Sequence, residues 1–233
     1  MLVKIILTVV AIVLAVPLGC GAVYVFNRIP GAWLVDYGEE PDEELLHPTS
    51  QRIKSTPWKY VFTALFIFVG GRLVNVDPWY TIPAVIAVWL MVEMAISDAK
   101  YRIVPDQFVL VLAITGLGFI PFHKYGYFDG LIGALIGIAI MGAMMLLGYV
   151  TSGKVGLGGG DAKLFAALGL ALGREGVLVV FVLMTFLSAM HYGILLVQKR
   201  IKKTDSMPLV PYMTIATIVY LVIINGSTLR WTI

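Results

Sequence analysis

Apolar stretches of about membrane length alternate with short polar breaks along the whole chain. Residues 2–26 are apolar apart from Lys4, long enough to cross a hydrocarbon core of about 30 Å as one helix. Leu18-Gly19-Cys20 is faintly like a lipoprotein processing site. The apolar run continues through Tyr24-Val25-Phe26, however, and outlasts the core of a signal peptide, so a retained helix is expected. Residues 27–57 are the longest polar segment, with an acidic run (Asp36, Glu39, Glu40, Asp42, Glu43, Glu44) followed by Arg52, Lys54 and Lys59. Spans at 58–76 and 79–97 flank a tight Asp77-Pro78 turn. A loop at 98–106 then leads to a shorter span, 107–122, and to a glycine-rich one, 128–150. In the latter, Gly133, Gly137 and Gly142 allow close helix packing. Another glycine-rich break precedes a short apolar segment, 162–172, that ends near Gly173-Arg174-Glu175-Gly176. Spans at 177–197 and 208–225 complete the chain, separated by a basic loop with Lys199, Arg200, Lys202 and Lys203. The pattern predicts an all-α polytopic membrane protein with about eight transmembrane helices. It divides into an N-terminal membrane region, 1–78, with a short loop at 27–57, and a membrane domain, 79–233.

Composition excludes the soluble alternatives. The 233 residues are 59% hydrophobic and 13% charged, where a soluble domain carries roughly 25% charged residues. The single cysteine, Cys20, excludes an internal disulfide framework and a cysteine-based zinc site. No basic stripe with interleaved aromatics suggests a nucleic-acid partner; the expected surroundings are the lipid bilayer. Where the basic residues lie is more informative than the net charge of +3. With the N-terminus outside, the inner loops hold Arg28, Arg52, Lys54, Lys59, Lys100, Arg102, Lys154, Lys163, Lys199, Arg200, Lys202 and Lys203. The outer side holds only Lys4, Arg72, Lys124, Arg174 and Arg230. Positive residues favour the cytoplasmic side, so the chain is expected to be N-out and C-out.

That topology carries a chemical consequence. The third span ends at Ser97-Asp98, and the sixth begins just after Gly156-Leu157-Gly158-Gly159-Gly160-Asp161. Both aspartates therefore fall on the same membrane face; an odd miscount of spans between them would separate them by about 30 Å. Asp161 alone reads as a helix cap. The glycines beside it widen that reading, because a run without side chains admits another backbone closely and takes φ > 0 at little cost. Two carboxylates across a water can hydrolyse a peptide bond. One, ionised, takes a proton from the water. The other, kept protonated because like charges a few ångströms apart cannot both ionise, donates to the carbonyl oxygen. The pair titrates as a unit, so sequence does not say which member holds the proton. No metal is needed.

Several motifs together resemble a known family. Ser97-Asp98-Ala99-Lys100-Tyr101-Arg102-Ile103-Val104-Pro105-Asp106 is similar to the Asp…Leu-Pro-Asp segment of bacterial type IV prepilin peptidases. Gly158-Gly159-Gly160-Asp161-Ala162-Lys163 resembles their Gly-x-Gly-Asp-x-Lys motif. Pro208-Leu209-Val210-Pro211-Tyr212 resembles the Pro-x-x-Pro-Phe segment that opens their last helix. Gly19 and Arg28-Ile29-Pro30 keep the spacing of their Gly-Ser-x-x-Asn…Arg-x-Pro stretch. The resemblance implies a Gly-x-Gly-Asp aspartyl protease of the inner membrane with Asp98 and Asp161 as its catalytic dyad, the domain at 79–233 being the peptidase. Gly158, Gly159, Gly160, Lys163, Asp106 and Pro105 become substrate-binding or supporting residues. The implied partners are prepilin or pseudopilin precursors, cut on the cytoplasmic side between a basic leader and the hydrophobic stem helix. The chain departs from the family in lacking paired Cys-x-x-Cys motifs for zinc, and in carrying Cys20 and Val23 where the family has Ser and Asn. That altered region speaks against the second activity of many members, methylation with S-adenosylmethionine.

Other residues have plainer roles. Asp106 after Pro105 reads as the N-cap of the fourth helix, and Lys163 as a group that orients a carboxylate or snorkels to the interface. Glu93 lies inside the third span, about 140° around the helix from Asp98, and is expected to be a buried, hydrogen-bonded carboxyl. His123 and His191 are expected to be structural, and the acidic run at 36–44 to be a solvated loop or an attractor of the basic leader. Competing readings are a small transporter or channel with Glu93, Asp98 and Asp161 as coupling carboxylates, and a silent assembly subunit. A presenilin-like protease fits less well, since that group has a Tyr-Asp motif within a helix.

Overall fold

The computed structural model describes residues 2–36, 38, 41, 45, 51–152, 158–201 and 207–225. Helix α1 (Leu2–Phe26) is followed by a 3₁₀ turn (Gly31–Trp33), then by α2 (Ser55–Leu73) and α3 (Pro78–Tyr101). Helix α4 (Asp106–Gly116) tightens into a 3₁₀ segment (Leu117–Phe122) and leads to α5 (Asp129–Ser152) and α6 (Gly159–Val197). Helix α7 (Val210–Val219) ends in a π-helical segment (Tyr220–Asn225). Among the described residues there is no strand. Among the described residues four helices are each long and apolar enough to cross a membrane: Leu2–Phe26, Pro78–Tyr101, Asp129–Thr151 and Gly159–Val197. Asp106–Phe122 and Val210–Asn225 are shorter apolar helical segments.

The 39 residues of α6 are not one straight rod. Gly173, at φ 73 and ψ −178, breaks the helical dihedrals in its middle. Phe165 and Phe181 lie sixteen positions apart, yet their ring centroids are 6.3 Å apart. A straight helix would separate them by about 24 Å. The chain therefore folds back at Gly173, and the arms 159–172 and 174–197 run antiparallel. The turn needs only that one glycine, whereas the sequence suggested a break through Gly176; the helix resumes at Arg174. A side chain at Gly173 would be excluded twice, by its positive φ and by Asp129 Oδ2, 2.3 Å from where a Cβ would sit. Asp129 is almost fully buried there, accepting from Arg174 Nε at 2.7 Å.

Glycine also sets how closely α5 and α6 approach. A Cβ on Gly133 would lie 2.3 Å from the Gly169 carbonyl oxygen, and one on Gly169 would lie 2.2 Å from that of Gly133. Backbone meets backbone, which only small residues allow. Gly142, grouped with Gly133 by sequence, takes no part: a Cβ there would have no atom within 4 Å. Helix α3 is the central element. Asp77 caps it by accepting from the Trp79 and Tyr80 N–H groups, with Pro78 at its first position. From its buried face Met91 offers a carbonyl to the Thr214 hydroxyl of α7 at 3.0 Å. The bundle thus brings the end of α3 and the starts of α4, α6 and α7 to one end.

Candidate functional site

Asp98 sits in the last turn of α3 and is buried. The helix stops at Arg102, which adopts the left-handed conformation at φ 61 and donates its N–H to the Asp98 carbonyl. Ser97 Oγ fastens the turn by donating to the Ile103 carbonyl at 2.7 Å. The Asp98 side chain looks across to α7, where Oδ2 accepts the buried Val210 N–H at 2.9 Å. Val210 opens that helix, so Asp98 satisfies one of its orphan donors from another element.

Asp161 lies in the first turn of α6. Its Oδ2 accepts the Gly158 N–H at 3.3 Å, while its own N–H donates to the Gly158 carbonyl at 3.2 Å. Asp161 is therefore not the cap itself: Gly158 holds that position, and Asp161, the third helical residue, reaches back to the cap residue's N–H. Asp161 also joins Asp98 in the wall of a single cleft of about 580 Å³. Gly158, Gly159, Gly160, Lys163, Pro105, Asp106 and Arg102 share that wall.

The glycines act differently from expectation. Gly158 has an ordinary φ of −74, and none of Gly158, Gly159 and Gly160 has a positive φ. A Cβ at Gly159 would meet nothing within 4 Å, so its lack of a side chain leaves room in the cleft. Only Gly160 is closely approached, by Val104 of the loop after α3 at 3.2 Å. Gly156 and Leu157 lie outside the described residues.

Asp106 is not the cap of α4. Pro105 holds that position, with no side-chain hydrogen bond, and Asp106 is the first helical residue. Its carboxylate is drawn away to Lys163 Nζ, at 3.0 and 2.8 Å. Lys163 does orient a carboxylate, and it joins the starts of α4 and α6 across the cleft. The side chains are 53% and 37% exposed, so this bond contributes about 0–1 kcal/mol to stability.

Glu93 is fully buried, as expected, but among the described residues neither carboxyl oxygen has a hydrogen-bond partner. His123 Nε2 meets the Ala171 carbonyl at 3.1 Å near the Gly173 turn. His191 Nδ1 is paired with the Tyr212 hydroxyl near the start of α7. Of the acidic run, Asp36 lines the cleft, while Glu39, Glu40, Asp42, Glu43 and Glu44 lie outside the described residues. Among the described residues no group of three or more His, Cys, Asp or Glu side chains forms a metal-binding set. Two features escaped the sequence reading. The Val210 N–H is a backbone group with no sequence signature beyond the Pro-rich helix start. The cleft wall formed by Trp33, Val35 and Asp36 comes from the segment that carries the acidic run, where nothing marks Trp33 and Val35 as wall residues.

Residues 84–196, which contain both aspartates, match the type IV leader peptidase family. A protein of Aeromonas hydrophila named prepilin leader peptidase/N-methyltransferase is 32% identical over 180 residues, covering 75% of this chain and 60% of that protein. Proteins of the same name from Pseudomonas aeruginosa and Bacillus subtilis are 32% and 25% identical, covering 59% and 58% of this chain and 48% and 53% of themselves. The chain thus spans about 60% of the length of its Aeromonas relative. No solved structure matches it. These matches do not favour the transporter or channel reading.

Proposed function

The chain belongs to the type IV leader peptidase family, and on that premise we propose that it is an intramembrane aspartyl endopeptidase. It removes the basic leader of type IV prepilins or pseudopilins at the cytoplasmic face of the inner membrane. One observation carries this reading: Asp98 and Asp161, from the ends of different helices, border the same cleft. Eight spans, N-out and C-out, agree with it. The fold-back of α6 supplies one span more than its continuous helix suggests, and the loops that this count assigns to the side of Asp98 and Asp161 carry most of the basic residues of the sequence.

In this reading the scissile peptide bond lies between the two carboxyl groups with a water alongside. One carboxylate accepts a proton as the water oxygen attacks the carbonyl carbon; the other, protonated, donates to the carbonyl oxygen. When the tetrahedral intermediate collapses, the C–N bond breaks and the amine nitrogen leaves with a proton from the dyad. The Val210 and Gly158 N–H groups each hold one carboxyl oxygen, which helps to orient the dyad. Gly158, Gly159 and Gly160 keep the floor low enough for an extended peptide. The proposal covers cleavage. The second activity in the relatives' name, N-methyl transfer, is left out because this chain departs from the family at Cys20 and Val23.

Co-expression with a prepilin tests the reading. Wild-type protein converts the precursor to a faster-migrating form, and Asp98→Asn or Asp161→Asn, at equal abundance, does not. Conversion by either variant at the wild-type rate overturns the assignment.

A further inference from the structure

The cleft has a wall that lies outside the family match. Trp33, Val35 and Asp36 border it from the segment after α1, whereas the match begins at residue 84. Trp33 stands edge-on to Phe108 of α4 with ring centroids 6.1 Å apart, and Asp36 is exposed. The regular structure next to this wall is one 3₁₀ turn, Gly31–Trp33, and so short a turn does not hold a position by itself.

The segment is instead tied at its ends. Asn27 and Ile53 exchange two hydrogen bonds: Asn27 Nδ2 donates to the Ile53 carbonyl at 3.1 Å, and the Ile53 N–H donates to Asn27 Oδ1 at 2.9 Å. Next to Ile53, Arg52 is 5% exposed. Its Nη1 donates to the Phe26 carbonyl at 3.2 Å and also to that of Ile29. Phe26 ends α1, so the guanidinium occupies a helix C-terminus whose carbonyls lack intrahelical partners. Lys100, two positions from Asp98, donates to the Arg52 carbonyl at 2.9 Å. The tie therefore joins the end of α1, the approach to α2 and the helix that carries Asp98. Desolvating an arginine is costly unless its donors are used; here Nη1 serves two carbonyls, while Nε has no partner among the described residues.

We propose that Asn27 and Arg52 are substrate-positioning residues. Their tie holds residues 33–36 as the wall against which the leader of the precursor is bound, with Asp36 facing a basic leader side chain. This rests on the leader-peptidase reading. Among the described residues four carboxylates line the cleft. Asp98 and Asp161 are the dyad, and Asp106 accepts from Lys163; Asp36 is the fourth, placed on the tied segment.

The test uses the full chain in detergent, with a purified prepilin bearing a Lys-rich leader and the same prepilin with those lysines changed to glutamine. Turnover and KM are measured for wild type, Asn27→Ala, Arg52→Ala, Arg52→Lys and Asp36→Asn. Loss of the tie raises KM roughly fivefold or more and leaves kcat within about twofold, the pattern of lost binding without lost chemistry. Arg52→Lys recovers part of the loss, because an ammonium still reaches a carbonyl. Asp36→Asn raises KM for the Lys-rich leader and not for the Gln leader. Unchanged KM in Arg52→Ala, a fall in kcat alone, or an equal effect of Asp36→Asn on both leaders overturns the inference. Should Arg52→Ala fail to accumulate, Asp36→Asn decides by itself, since an exposed side chain is changed without touching the tie. Cleavage of neither prepilin by wild type overturns the leader-peptidase reading, and this inference with it.

Discussion

The Val210 N–H donates to Asp98 Oδ2 across 2.9 Å, joining residues 112 positions apart. Removing the carboxyl altogether leaves that buried donor unsatisfied, at a cost of about 1–3 kcal/mol. Asparagine keeps an acceptor in place. Asp98→Ala is therefore expected to unfold in detergent at a lower temperature than Asp98→Asn, although both lack the acid–base group. Thermal unfolding of the two variants checks this; equal midpoints would mean that the bond contributes nothing.

The reversal at Gly173 makes a sharper prediction. Alanine there must adopt φ near 73 and place its Cβ against Asp129 Oδ2. Backbone strain alone costs on the order of 1–3 kcal/mol. In the Asp129→Ala background the collision disappears and the strain remains, so Gly173→Ala is expected to cost less there. A double-mutant cycle on stability reads the difference.

Not every glycine of α5 is expected to matter. Gly133→Ala drives a Cβ into the Gly169 carbonyl of the Asp161-bearing arm and should lower both stability and cleavage. Gly142→Ala meets nothing, and gains up to about 1 kcal/mol from helix propensity. Protease resistance of the two variants in membranes separates them.

The Glu93 carboxyl is buried with no hydrogen-bond partner among the described residues. Glu93→Met, of similar length, is expected to raise the unfolding temperature and leave cleavage intact, as replacing an unsatisfied buried polar group by an apolar one does. Loss of cleavage in a stable Glu93→Met protein would give Glu93 a role absent from the mechanism above.

Much of this arrangement is legible in the sequence because membrane length and charge are one-dimensional signals. Residues 2–26 read as one helix and form one. Asp77-Pro78 reads as the turn between two spans, and there Asp77 caps the start of α3. Counting spans puts Asp98 and Asp161 on one face, and they line one cleft. What sequence misses is local competition for partners. Asp106 reads as a cap because Asp commonly caps, but Pro105 holds the cap position and Lys163, 57 positions away, takes the carboxylate. The general rule for buried carboxyls gives Glu93 a hydrogen bond, and the rule does not hold here. The glycines before Asp161 suggest unusual dihedrals, whereas they serve by leaving space. The ties made by Asn27 and Arg52 run to backbone groups, and that of Asp98 to the backbone N–H of Val210; every residue carries such groups and no pattern marks them.

The central claim is that Asp98 and Asp161 act as one unit, and the most direct measurement is kcat for prepilin cleavage by Asp98→Asn, Asp161→Asn and the double variant. Groups that share one proton-transfer step are non-additive. Each single change is expected to lower kcat by roughly 10²–10⁴-fold, and the double variant to fall no further than the worse single one. Losses that multiply, or one single variant that turns over like wild type, would contradict the dyad.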